Sequence, residues 1–399
     1  MNGHFAALVL TRSLVRGLAL AAGLTAPALS AMELDYQLRG FASQSFVHSQ
    51  GNNLFGDSTG GSFEFYEVGA GGSLVVGHRL LLSAQALLRD AGQTDNDGLR
   101  LDYALADFKL VNRPALDLGL RIGRVKNPFG LYNETRDVVF TRPGILLPQS
   151  LYFDGQGFRR VLFSSDGGQL YGGFNRANHE VRATIGSSRA RNASEQEERQ
   201  LFGAPFAGNL RVTNFQVAQL EDEIANGRWR LLYSYFQNHI RLQPEPGMAV
   251  DGELKFQIHA VSVQHNLERL SLTSEYRMTR SRGQIGSRAP FESVGDGGYL
   301  QAEYRFRPHW SALARYDLNY VNQGDRGGRD YATRSGGSRY SQYSKDATLG
   351  VNWLPDKHWG VWAEFHLIEG TSSVAPLDNQ GRTPDSHWNA LLVTAAYRY

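Results

Sequence analysis

The chain has 399 residues, 41 Lys+Arg against 39 Asp+Glu, no cysteine and a mean hydropathy of −0.38. The missing cysteines exclude a disulfide framework. The near balance of charge excludes the basic footprint of a nucleic-acid binder.

The first element is not part of the fold. Arg12 and Arg16 precede an apolar stretch, Leu18 to Leu24, too short to span a bilayer, and small residues follow from Ala26 to Ala31. That is the layout of a cleavable export signal over residues 1–31. Cleavage after Ala28, Ser30 or Ala31 satisfies the spacing equally. The leader removes two arginines and no acids, so the mature chain carries 39 basic and 39 acidic groups. Only Lys109, Lys126, Lys255, Lys345 and Lys357 are lysines. The positive charge is therefore almost all arginine, the better fork for carboxylate and phosphate, which points to anionic solutes or anionic lipid.

After the leader no Pro-, Ser- or charge-rich linker divides the chain, so residues 32–399 read as one domain. No apolar run of about eighteen residues follows either, which excludes a transmembrane helix. What remains is 44 glycines, 18 Tyr, 21 Phe and a chain-long alternation of apolar and polar residues. A membrane barrel needs that pattern, because lipid face and wet lumen share every strand.

In chain order the alternation predicts strands at 33–48, 62–75, 79–90, 99–111, 115–125, 168–175, 179–188, 208–221, 228–239, 252–265, 269–281, 297–307, 309–321, 343–354, 357–369 and 386–399. In the thirteenth, Trp310, Ala312, Ala314, Tyr316, Leu318 and Tyr320 oppose Ser311, Arg315, Asp317 and Asn319, with Leu313 the exception. The connections alternate long and short, as external loops and periplasmic turns do in an outer-membrane barrel. This parity gives an all-β transmembrane antiparallel barrel of sixteen strands. Counting Phe158 to Ser165 separately would break the parity. Residues 126–167 are therefore one long third loop, or 158–175 is one tall strand.

Two further features favour the membrane. His309-Trp310, His358-Trp359 and His387-Trp388 set a Trp at strand ends, where an amphipathic ring suits the headgroup level. In the last strand Leu391, Val393, Ala395, Tyr397 and Tyr399 share a face. That ending resembles the C-terminal signature outer-membrane proteins present to the barrel-assembly machinery.

The stretch RIGRVKNPFGLYNETRDVVFTRPGILLPQSLYFD after the fifth strand resembles the segment with which trimeric porins fold their third loop into the lumen. Its core, Gly123-x-x-Lys126-x-Pro128-Phe129-Gly130-Leu131, is similar to the phosphate- and pyrophosphate-selective porins. The resemblance implies a homotrimer in the outer membrane, in contact with lipid and lipopolysaccharide, passing small polar or anionic solutes without a cofactor. Phosphate-specific members are lysine-rich in the lumen, and this chain departs from them.

A sixteen-stranded barrel leaves an aqueous channel that something must narrow. In the third loop Pro128 and Gly130 break the strand, Asn133 to Val139 suit a short helical turn capped by Asn133, and Pro143, Gly144 and Pro148 forbid regular continuation. The candidate constriction charges are Arg121, Arg124, Lys126, Glu134, Arg136, Asp137 and Arg142, with Asp154, Arg159 and Arg160 further along the loop. The candidate wall charges are Arg277, Glu303, Arg305 and Arg315, with Glu275, Asp317 and Glu364. Two readings stand: the charges set a transverse field that sorts solutes, or they pair and rivet the loop to the wall.

Other signals are weak. Asp95-Asn96-Asp97-Gly98 starts like a calcium loop, but Leu99 and Arg100 break the ligand pattern, and the histidines lack ligand spacing, so no metal is expected. A barrel-borne hydrolase would draw on Ser311 with His309 or Ser386 with His387. An adhesin-like barrel would bind partners or lipopolysaccharide through the loop bearing Arg326, Arg329, Arg334 and Arg339.

Overall fold

The computed structural model describes residues 35–93, 95, 98–152, 164–189, 198–199, 208–244, 251–287 and 289–399. The expected leader and cleavage site lie outside these residues, as do Asp154, Arg159 and Arg160.

Sixteen strands form: β1 (Asp35–Gln50), β2 (Phe65–Val76), β3 (Leu80–Ala91), β4 (Gly98–Arg113), β5 (Leu116–Lys126), β6 (Ser164–Arg176), β7 (His179–Arg189) and β8 (Gly208–Ile224) make one half. The other half is β9 (Trp229–Pro244), β10 (Gly252–Asn266), β11 (Leu270–Ile285), β12 (Phe291–Arg307), β13 (Trp310–Tyr320), β14 (Tyr343–Trp353), β15 (Trp359–Gly370) and β16 (His387–Arg398). Each pairs antiparallel with its neighbours in sequence, and β1 pairs with both β2 and β16, which closes the barrel. Closure leaves no edge strand with unpaired backbone groups. The predicted bounds shift most where the wall is tall: β12 begins at Phe291 and β9 runs to Pro244. There the extensions lose the apolar-out, polar-in order, with Arg241 exposed and Leu242 buried on β9, so backbone pairing continues after that alternation has ended. Within the described residues β6 starts at Ser164, between the two expectations for that stretch.

The burial pattern is inside out relative to a soluble sheet. Along β13 the apolar Tyr316 is 50% exposed, while Arg315 and Asp317 are buried. Leu313, the exception in the alternation, is also buried, because it faces inward beneath the third loop. Strand alternation gives the lumen the polar residues and turns Leu300, Leu349, Leu367 and Val261 outward, all exposed. An outward apolar surface of this kind is what hydrocarbon demands of a barrel wall. Over the seam the first and last external loops clasp each other. Asn52 and Asp385 exchange hydrogen bonds of 2.8 Å, and the Asn53 N–H donates to Asn379 Oδ1 at 2.8 Å.

Candidate constriction site

Pro128 cannot donate a ladder hydrogen bond and Gly130 takes φ +57, so the chain leaves β5 and turns into the barrel. Wall strands on every side then hold the loop, and carboxylates supply four of the anchors. Glu275 of β11 accepts from the Leu131 N–H (3.0 Å) and from the Tyr152 hydroxyl (2.7 Å). Asp317 of β13 accepts from the Ser150 N–H at 3.1 Å. Glu364 of β15 accepts from the Ile145 and Leu146 N–H groups at 2.9 and 3.1 Å. Glu67 of β2 pairs with Arg142 of the loop and with Arg89. Ser234 of β9 accepts from the Gly130 N–H at 3.1 Å, and Asn352 of β14 donates to the Pro143 carbonyl at 2.9 Å. Loop backbone that no ladder can satisfy is thus satisfied by inward-pointing side chains.

Apolar contacts complete the fastening. Phe129, Tyr132, Leu147, Leu151 and Tyr152 pack on Phe215, Val217, Phe236, Ile258 and Tyr299 of the wall. On the other side Val139, Ile145 and Leu146 pack on Val47, Phe65, Trp362 and Leu392. Burial, foremost, raises the Tyr132 and Tyr152 hydroxyls above their ordinary value, so both remain protonated. The expected helical turn at Asn133 to Val139 does not form. Residues 130–137 run as turns, a 3-10 turn covers Val139–Thr141, and Asn133 donates to the Asn127 carbonyl instead of capping.

The predicted constriction residues divide by what they face. Lys126 lies between Asp102 and Asp137, at 2.9 and 2.5 Å. Arg136 is fully buried, donates to the Tyr152 carbonyl at 3.1 Å and lies over that ring. Asp137 and Arg142 are buried as well. Arg124 does not join this group: it pairs across the sheet with Asp166, on the strand face opposite to that of Arg121, with its Nη1 3.1 Å from the Asp166 carboxylate.

Arg121 and Glu134 remain open to the lumen. Arg121 is 30% exposed and Glu134 44%, with 3.5 Å between Nη1 and Oε1. Arg121 also donates to Asp107 at 3.3 Å and stacks 4.5 Å from the centre of the Tyr171 ring, whose hydroxyl donates to Asp107. Asp107 and Tyr171 were not singled out from the sequence. Their inward parity on β4 and β6 was the available signal.

Of the wall candidates, Arg315 is buried and donates to the loop carbonyl of Leu146 at 3.0 Å, and Arg277 is buried against Asn319 at 2.7 Å. Glu303 accepts from Ser311 at 2.9 Å. Arg305 stands exposed at the rim near the short turns and donates to the Glu268 carbonyl at 2.6 Å. Asp95 is taken up by Arg89 and Arg100, at 2.8 and 2.6 Å, and no group suited to a metal ion occurs among the described residues. His309 meets the Leu354 carbonyl, and Ser386 meets its neighbour His387, at 3.0 Å, and the Tyr340 hydroxyl.

By sequence the chain matches no known family and no curated protein. By structure it is similar to OmpF of Salmonella typhi, at 13% identity and TM-score 0.58, over 91% of this chain and 97% of that one. It is similar to the anion-selective porin of Comamonas acidovorans, at 12% identity and TM-score 0.56, over 92% and 100% of the two chains. The outer-membrane channel DcaP of Acinetobacter baumannii aligns at 12% identity and TM-score 0.55, over 92% and 97%. The closed ring of sixteen antiparallel strands, with its third loop folded inward, is the fold of the outer-membrane porins.

Proposed function

We propose that this protein is a passive diffusion channel of the outer membrane for small polar or anionic solutes, exported by its leader and assembled as a homotrimer. The observation that carries the reading is the division of charge at the third loop. Lys126, Arg136, Asp137 and Arg142 are consumed in fastening, whereas Arg121 of the wall and Glu134 of the loop, 3.5 Å apart, stay partly exposed to the lumen as a pair. A passive pore needs both a rigid constriction and a few accessible charges at it. The similar solved structures, an anion-selective porin and an outer-membrane channel among them, support the conducting role.

Arg121 is the residue that biases the pore toward anions. Purified protein in a planar bilayer is expected to open in stepwise conductance increments. Under a salt gradient, Arg121→Ala is expected to move the reversal potential toward cation preference, because Asp107 and Glu134 then stand uncompensated. Absence of conductance would overturn the channel; an unmoved reversal potential would remove Arg121 from the filter.

A further inference from the structure

Closure gives every strand two neighbours, but the two strands of the seam end out of step. β16 has its last ladder partner at Phe41, opposite Arg398, and the Tyr399 N–H donates to the Gly40 carbonyl at 2.9 Å. Below that point β1 continues from Arg39 to Asp35 with β2 on one side and no strand on the other. All five of these residues are exposed. Along β1 the odd-numbered residues bond toward the β2 side, as Val47 does with Ser62, and the even-numbered ones toward β16, as Gly40 does. The N–H and C=O groups of Tyr36 and Leu38 therefore point to the open side.

The side chains set this end apart from an ordinary free strand end. Tyr36 and Leu38 face outward, each more than half exposed, and extend the apolar row of Tyr397 and Tyr399 on β16. In hydrocarbon the open backbone groups would have no partner, and in water the apolar row would stay uncovered. Neither solvent satisfies both. β4 overhangs β3 in a similar way beyond Phe108, but that end finishes in the exposed polar residues Asn112 and Arg113, which water suits.

We infer that the open edge of β1 at Tyr36 and Leu38 is a docking site for an extended peptide segment of a periplasmic partner, added as a short antiparallel strand beneath the end of β16. Main-chain bonds to the two open residues give the attachment, and the alternating side chains give the selectivity. Apolar residues of the segment lie opposite Tyr36 and Leu38, an acid opposite Arg39 and a base opposite Asp35. Arg39 and Asp35 have no ion-pair partner among the described residues. The inference rests on the outer-membrane reading, which turns this end toward the periplasm, and is independent of conductance.

The test is amide hydrogen exchange on the full processed protein in non-ionic detergent, with the acetylated and amidated pentapeptide Glu-Val-Thr-Val-Lys as probe. Without it, Tyr36 and Leu38 are expected to exchange at least about a hundredfold faster than Gln37 and Arg39, which bond into the ladder with β2. Saturating probe is expected to slow Tyr36 and Leu38 by at least about tenfold. The same peptide N-methylated at both valines loses the donors it aims at the edge and is expected to protect neither. Leu38→Pro removes an open-side donor, leaves the bonds to β2 in place and is expected to weaken the probe at least about tenfold. If that variant does not fold, Arg39→Glu is expected to weaken the probe and to prefer a version with Lys in place of its Glu. Equal protection by the methylated peptide, no protection by millimolar probe, or slow exchange of Tyr36 and Leu38 before any peptide is added would each overturn the proposal. Slow exchange that is lost on dissociating the oligomer would assign the edge to a second copy of the chain, and slow exchange found only in lipid vesicles would assign it to lipid. Conductance of Leu38→Pro is expected to be unchanged, so failure of the edge site and failure of the channel are separable.

Discussion

The fastening of the third loop makes a quantitative prediction at Glu364. Its two oxygens take the N–H groups of Ile145 and Leu146, and Ile145 is fully buried. Glu364 is itself held by His366, whose other ring nitrogen lies 2.8 Å from Asp346. Glu364→Ala deletes two hydrogen bonds to a charged acceptor and leaves two buried donors unsatisfied. At about 1.5–3 kcal/mol for each such bond, the local opening free energy of residues 143–147 should fall by about 3–6 kcal/mol. Amide exchange at Ile145 and Leu146 should then accelerate by about 10²–10⁴, since 1.4 kcal/mol is a factor of ten. Leu131, held separately by Glu275, should exchange at the wild-type rate. The assay is hydrogen exchange on the detergent-solubilised barrel, with heat-modifiable migration on gels to show that closure survives. Wild-type exchange at both amides in a closed Glu364→Ala barrel would refute the claim that the carboxylate holds the loop.

Gly144→Ala should reproduce much of that effect from the other side, because a Cβ there would collide with Glu364 Oε1; an exchange profile matching wild type would show that the loop shifts at no cost. Glu67→Ala strips the buried Arg142 of its carboxylate and should lower stability by about 3–5 kcal/mol in urea refolding titrations into lipid vesicles, with Glu67→Gln costing less. Leu349→Arg places a charge on the outward face midway along β14 and should cost about 2–4 kcal/mol in the same titration; a cost near zero would mean that this face does not meet hydrocarbon.

Much of the barrel is legible in the sequence because a period-two pattern and the alternation of long and short connections are local properties of the chain. The run from Trp310 to Tyr320 shows both faces of its strand, and the parity of turns fixed the count at sixteen. The run RVKNPFG marks where β5 ends, since Pro128 and Gly130 act on their own backbone whatever surrounds them. Leu313 looked like a flaw in the pattern and is an inward contact beneath Gly144, a partner more than a hundred residues away.

What tertiary structure alone decided is which charges work and which merely hold. Arg121, Lys126, Arg136 and Arg142 are chemically alike in the sequence. Whether each meets water depends on carboxylates supplied by Asp102, Glu67 and Glu134 and on loop backbone brought close by closure. Arg124 differs from Arg121 by three positions, hence by strand face, and pairs with Asp166 instead of joining the lumen group. The sequence by itself determined the wall, because the two faces of a strand need only the solvents on either side of it. The constriction required the fold, because the energy of a charge is set by its neighbours in space and not by its own identity.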